Sequence, residues 1–146
     1  MDLIKLTIEN KEQIKLLFRS VFMSEPWNDD WSNEQQLDDY ITDLIGNCNS
    51  LSLGLLDHGK FVGMSLGHIK HWYSGTEYYI EELFVKTDLQ GQGIGSKFLE
   101  LIEKYLVDLN IHRIFLQTEK DMPAYSFYKR KKFCELKEHV SFIKEL

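Results

Sequence analysis

The chain has 146 residues, 43% of them hydrophobic and 13% aromatic, and a formal net charge of −6. That size and composition fit one domain spanning 1–146 with a packed core. The acidic balance argues against general nucleic-acid binding, and no apolar stretch is long enough to span a bilayer. Met1-Asp2-Leu3 opens no signal-peptide pattern, so a cytoplasmic location is expected. Cys48 and Cys134 lack metal-type spacing and read as free, reduced thiols.

Leu3 to Ile8 alternates loosely and reads as a first strand. Asn10 and Gln13 form a capping box for a helix with Ile14, Leu17, Phe18, Val21 and Phe22 on one face. It stops around Ser24-Glu25-Pro26, as proline requires. Ser32 and Gln35 suggest a second capping box. The helix after it buries Leu37, Tyr40, Ile41, Leu44 and Ile45, with Gly46 at its C′ position. Leu51 to Leu56 is a strand, Asp57-His58-Gly59 a hairpin turn, and Phe61 to Ile69 the return strand, extending toward Trp72. Ser74-Gly75 turns again into Glu77 to Val85, the longest predicted strand. His68 and His71, three apart on a strand, face opposite ways, and no metal site is predicted.

A helix follows from about Gly93 to Leu109, with Phe98, Leu101, Ile102, Tyr105 and Leu106 inward. Arg113 to Thr118 is a strand, and Pro123 fits the first turn of a helix reaching about Lys131. Phe133 onward is strand-like, with Val140 and Phe142 on one face. Hairpins followed by strand-helix-strand-helix-strand predict a mixed α/β fold in layers around a central sheet.

Charge is unevenly placed. Between Arg19 and Lys60 there is no Lys or Arg, while Glu25, Asp29, Asp30, Glu34, Asp38, Asp39, Asp43 and Asp57 all fall there. Lys86, Lys97 and the run Lys129-Arg130-Lys131-Lys132 lie near or after a glycine-rich stretch. One region suits a cation and another an anion. Asp38, Asp39 and Asp43 read as a solvated helix face. Glu25, Asp29 and Asp30 differ, because they interleave with Trp27 and Trp31.

That stretch is Gln90-Gly91-Gln92-Gly93-Ile94-Gly95, between the apolar run Leu83-Phe84-Val85 and a helix opening at Ser96. The first turn of a helix leaves about four backbone N–H groups without partners, at the positive end of its dipole. Such a cup suits a pyrophosphate. The glycines lack the spacing of a dinucleotide fingerprint, and no G-K-[ST] follows as in a P-loop.

Gln90, Gly93 and Gly95 resemble instead the Q/R-x-x-G-x-G/A motif of the GCN5-related N-acetyltransferases (GNATs). The strand Tyr79-Ile80-Glu81-Glu82-Leu83-Phe84-Val85 and the segment Pro123-Ala124-Tyr125-Ser126-Phe127-Tyr128-Lys129 extend the resemblance over roughly 77–133. It implies a mostly antiparallel mixed sheet, flanked by helices, whose middle strands splay apart. It also implies acetyl-CoA as cosubstrate. The backbone of Leu83, Phe84 and Val85 then pairs with the pantetheine arm. The N–H groups from Gly91 through Gln92, Gly93, Ile94 and Gly95 to Ser96 hold the pyrophosphate, and Tyr128 stands near the thioester sulfur as general acid. Asp121 occupies a position where an Asn often contacts the cofactor. Lys132 stands where Gly often precedes the aromatic, which implies a different turn there.

Acetyl transfer needs a deprotonated amine, a stabilised oxyanion and a protonated leaving thiolate. Glu81 and Glu82 are the candidate bases. They point to opposite faces of their strand, unless it bulges. Glu81 is the preferred base, because it matches an acidic family position near the acceptor, and the alternative is a structural carboxylate that orients the backbone or binds the cationic substrate. Trp27, Asp29, Asp30 and Trp31, on the loop that borders the acceptor in this family, make a seat for an ammonium group. Tyr73, Tyr78, Tyr79, His71 and Trp72 are expected toward the same side. The resulting expectation is an N-acetyltransferase acting on a small cationic amine: an aminoglycoside, polyamine or amino acid. The alternatives are a protein N-terminal or lysine acetyltransferase and a non-catalytic CoA-sensing module. Similar enzymes are often homodimers.

Overall fold

The computed structural model describes residues 1–146. Five strands form one sheet in chain order: β1 (Asp2–Lys5), β2 (Ser50–Asp57), β3 (Lys60–Trp72), β4 (Gly75–Val85) and β5 (Ile114–Leu116). β1 to β4 run antiparallel, and β5 joins β4 in parallel. The helices are α1 (Lys11–Phe22), α2 (Glu34–Ile45), α3 (Ile94–Asp108) and α4 (Pro123–Arg130). No helix is long and apolar enough to cross a membrane.

The sheet separates two cores. On one face α1 and α2 bury Ile14, Phe18, Val21, Leu37 and Ile41 against Met64, Leu66 and Phe84. On the other α3 buries Phe98, Ile102 and Leu106 against Leu53, Leu55, Tyr78 and Ile80. The apolar spacing of three and four along each helix sends these residues to one side. α1 and α2 are also clamped by ions. The buried Lys15 places Nζ 2.6 Å from Glu34 and 3.1 Å from Asp38, and Lys11 lies 2.6 Å from Asp38. Asp38 is therefore an ion-pair partner and not simply part of a solvated face.

Several local expectations shift. The first strand ends at Lys5 because Thr7 and Asn10 cap a 3-10 turn at Ile8–Asn10. Asn10 Oδ1 accepts from the Thr7 N–H at 3.0 Å, so the expected Asn10–Gln13 box does not form. α2 is capped by Asn33, whose side chain accepts from the Gln36 N–H at 3.1 Å, one residue beyond the predicted Ser32–Gln35 pair. Gly46 closes α2 with right-handed φ −96°. β3, at 13 residues, is longer than β4 at 11. β5 keeps only three residues.

No strand forms after Phe133. The segment touches the chain just after β5 through Gln117 Nε2, which donates to Ser141 Oγ at 3.1 Å, but its backbone does not pair with β5. Val140 and Phe142 are 74% and 92% exposed. Alternating apolar residues suit a strand, but a strand needs a neighbouring edge to pair with, and here none pairs with this segment.

Two irregularities shape the end of β4. First, Leu66 pairs with Glu82 while Gly67 pairs with Ile80, so Glu81 is an extra residue in β4. The bulge breaks the alternation: Tyr78 and Ile80 face α3, whereas Glu82 and Phe84 face α1 and α2. Gly67 allows it, since a Cβ there would sit 2.0 Å from the Tyr79 carbonyl oxygen. Gly67→Ala is expected to destabilise the fold by about 3 kcal/mol, measured as a drop in denaturant midpoint.

Second, β4 and β5 pair only over Tyr78–Ile80 and Ile114–Leu116. Beyond Ile80, Leu83, Phe84 and Val85 pair with β3 on one side and have no β5 partner on the other. The middle strands are thus parted, as the resemblance implied.

Candidate active site

At the C-terminal end of β4 a 3-10 turn (Thr87–Leu89) leads into the glycine-rich stretch. Gly91 and Gly93 take φ +74° and +81°, and Gly93 is the N-cap of the 15-residue α3. The first backbone bond of the helix runs from the Lys97 N–H to the Gly93 carbonyl. The N–H groups of Ile94, Gly95 and Ser96 therefore have no backbone acceptor and sit at the positive end of the dipole. Space beside the Cα atoms of Gly91 and Gly93 is open. The two glutamines, both exposed, brace the turn through their side chains: Gln90 Nε2 donates to the Val85 carbonyl at 3.0 Å and Gln92 Nε2 to the Asp88 carbonyl at 2.9 Å. A groove of about 280 Å³ continues between α3 and α4, lined by Ser96, Arg130, Lys131 and Lys132 and by the carboxylates Glu100 and Glu103, with Lys131 Nζ 3.7 Å from Glu100. An open strand edge, free amides and basic side chains together fit an extended, phosphorylated thioester.

Glu82 lies at the parting of the sheet. Tyr40 Oη donates to its Oε1 at 2.7 Å. Burial pushes the Glu82 carboxyl up to about 7; the Tyr40 hydrogen bond offsets part of this, and the negative charges of Glu81 and Asp29 add to it. Glu81, on the bulge, is exposed, with Oε1 3.8 Å from His68 Nδ1. Tyr128 of α4 packs between Phe127 and Phe133, with ring centroids 5.3 and 5.2 Å away. Burial raises its hydroxyl well above the usual tyrosine range, and the Glu82 charge raises it further. Tyr128 thus lies within electrostatic reach of Glu82.

The loop between α1 and α2 contributes unevenly. Trp27 packs on Phe22 at 5.4 Å. Trp31 stacks on Tyr40 with centroids 5.2 Å apart, its indole N–H buried without a partner. Asp29 reaches the field of Glu82, whereas Asp30 accepts from the Ser32 N–H at 3.1 Å and caps its own turn. Ser32 holds the Asp30 carboxyl below the usual range.

Other expected positions lie elsewhere. Asp121 is exposed in the turn ahead of α4. Trp72 and Tyr73 are exposed at the tip of the β3–β4 hairpin, and Tyr78 is buried in the α3 core, 2.9 Å from Ser65 Oγ. The bulge explains Tyr78, because it is out of phase with Glu82. Lys132 takes φ +66°, so the turn after α4 keeps the left-handed conformation that glycine favours instead of the different one expected. Tyr40 gave no sequence signal beyond core spacing. Its contact with Glu82, 42 residues away, depends on the bulge.

A family model described as the Acetyltransferase (GNAT) family matches residues 12–133. The chain belongs to the GNAT acetyltransferase family. This GNAT enzyme is similar in fold to an aminoglycoside acetyltransferase, meta-AAC0020, from an uncultured soil metagenomic sample, solved in complex with sisomicin. Identity is 23%, coverage 99% of this chain and 95% of that one, and the TM-score 0.74. An integron cassette protein from the mobile metagenome of V. cholerae gives TM-score 0.79 at 18% identity, with coverage of 99% and 91%. AAC(6')-Iy, in complex with a bisubstrate analog of CoA and acetylneamine, gives 0.72 at 13%, with coverage of 99% and 97%. No curated protein matches the chain. Members of the family use acetyl-CoA, and the open β4 edge, the free amides of α3 and the basic groove suit it.

Proposed function

We propose that this GNAT enzyme transfers the acetyl group of acetyl-CoA, by direct attack, to the primary amine of a small cationic acceptor. What carries the reading is the placing of Glu82, a half-buried carboxylate held by Tyr40 at 2.7 Å where the sheet parts and pushed up to about 7 by burial, with the half-buried Tyr128 within its electrostatic reach. A base with a pKa near the working pH is half ionised and still basic enough to take a proton.

In this reading the backbone of Leu83, Phe84 and Val85 binds the pantetheine arm along the free strand edge, and the amides from Gly91 to Ser96 receive the pyrophosphate. Glu82 takes one proton from the acceptor's ammonium. The freed amine attacks the thioester carbonyl, the C–N bond forms and the C–S bond breaks. Tyr128 gives its proton to the departing thiolate, the second proton lost by the new amide nitrogen restores the Tyr128 phenol, and Glu82 releases its own proton to solvent. The two transfers help each other. Glu82, once neutral, no longer raises Tyr128 by charge, so the phenol becomes a stronger acid as the thiolate leaves.

Asp29 supplies negative charge beside Glu82, and Trp27 and Trp31 supply apolar walls, which together suit a cation. Asp30 adds charge at the rim. The aminoglycoside acetyltransferases among the structural neighbours support an aminoglycoside or another polyamine as acceptor.

Thiol release from acetyl-CoA against aminoglycosides, spermidine, free amino acids and short peptides tests the proposal. Turnover with the small polycations is the expected result. Turnover with peptides alone moves the enzyme to protein substrates. A thermal shift with acetyl-CoA but no turnover with any amine moves it to CoA sensing. Tyr128→Phe is expected to lower kcat by about 10²-fold while leaving the Kd of acetyl-CoA nearly unchanged. Calorimetry beside steady-state kinetics separates the two.

A further inference from the structure

The ring of Tyr40 is held on two sides. Trp31 stacks on it at 5.2 Å with a 13° tilt, and Phe18 meets it edge-on at 5.9 Å. Its hydroxyl spans from α2 to β4 and ends on Glu82 Oε1 at 2.7 Å. Glu82 Oε2 accepts no hydrogen bond from the protein. The groups acting on Glu82 come from several elements: Tyr40 from α2, Glu81 from its own strand and Asp29 from the α1–α2 loop, while Tyr128 of α4 feels the charge of Glu82. His68 of β3 stands by Glu81. Asp29 and Glu81 oppose a negative charge on Glu82, and Tyr40 is the one that favours it.

We propose that Tyr40 is a positioning residue for acetyl transfer: pinned by Trp31, it fixes Oε1 of Glu82, orients the carboxylate and reserves Oε2 for the proton of the acceptor amine. Tyr40 itself keeps its proton throughout; burial and the neighbouring Glu82 hold its hydroxyl well above the usual tyrosine range. The inference rests on Glu82 as the base.

The test uses the full chain with 13C-labelled glutamate and follows the Glu82 carboxyl carbon by NMR titration. In Tyr40→Phe the Glu82 midpoint is expected to rise by about one pH unit, a tenfold change in proton affinity. The acidic limb of kcat/KM moves with it, and KM for acetyl-CoA stays constant. If the midpoint in a folded Tyr40→Phe protein equals the parent's, the proposal is overturned. Should that variant fail to fold, 3-fluorotyrosine at position 40 replaces it. Its more acidic phenol strengthens the bond and lowers the midpoint, and an unmoved midpoint again overturns the role. Failure of the underlying base assignment shows differently, as full turnover in Glu82→Gln.

Discussion

Glu82→Gln is expected to lose most of its turnover and yet melt at a higher temperature than the parent at about pH 8. The kinetic loss follows from removing the proposed base: about 10²–10³-fold in kcat/KM. The parent's kcat/KM should rise with pH through a midpoint near 7, the value at which Glu82 ionises, and the variant's acidic limb should vanish. The gain in stability has the same origin. Glu82 titrates near 7 when folded, against 4.5 as an ordinary carboxylate, so the folded protein holds the proton more tightly than the unfolded chain. The cost of burying its charge is absent below pH 4.5, grows through the interval and is complete above 7. At about pH 8 the variant escapes a cost of up to about 3 kcal/mol. At about pH 4 the two proteins should melt together. Calorimetric melting across pH, beside rate profiles, checks both arms. A variant that is slow but no more stable at pH 8 removes the buried-charge explanation.

Gly93→Val is expected to weaken acetyl-CoA binding by at least about 10²-fold in a protein that still folds. Gly93 sits at φ +81° as the N-cap of α3, a conformation especially unfavourable for a β-branched residue. Valine either strains the cap by roughly 1–2 kcal/mol or rotates it and turns the amides of Ile94, Gly95 and Ser96 away. It also places two methyl groups in space now open beside the turn. Either way the cup that receives phosphate is lost while the core of α3, built on Phe98, Ile102 and Leu106, is untouched. Titration calorimetry with acetyl-CoA decides: unchanged affinity in a folded variant excludes this turn as the phosphate site.

Much of the fold and part of the site were legible in the residues. Helix faces appear as apolar spacing, and the glycine-rich turn follows a strand and opens a helix as its pattern requires. The parted strands came from the family resemblance. What periodicity cannot register is a break in itself. One extra residue at Glu81 puts Glu82, not Ile80, on the side of Tyr40, and it does so through a contact 42 positions apart in the chain. A tyrosine at core spacing carries no sign that its hydroxyl ends on a carboxylate. The α2 cap moved one position, from Ser32 to Asn33, and the first cap moved back to Thr7, because Asn, Ser and Thr offer interchangeable oxygens and local backbone geometry chooses among them. The strand pattern after Phe133 failed for a different reason: alternation describes a segment, while a strand is a relation between two.

The sheet that divides the two cores also divides what substitution can reach. Phe18, Trp31 and Tyr40 shape the surroundings of Glu82 from one face, while Phe98 and Ile102 anchor the glycine turn from the other. Changes at well-separated positions tend to sum without interfering. Under the proposed function, a lineage is therefore free to remodel the face that would meet the amine while the grip on the thioester stays as it was. β4 belongs to both faces, so a substitution there disturbs both at once.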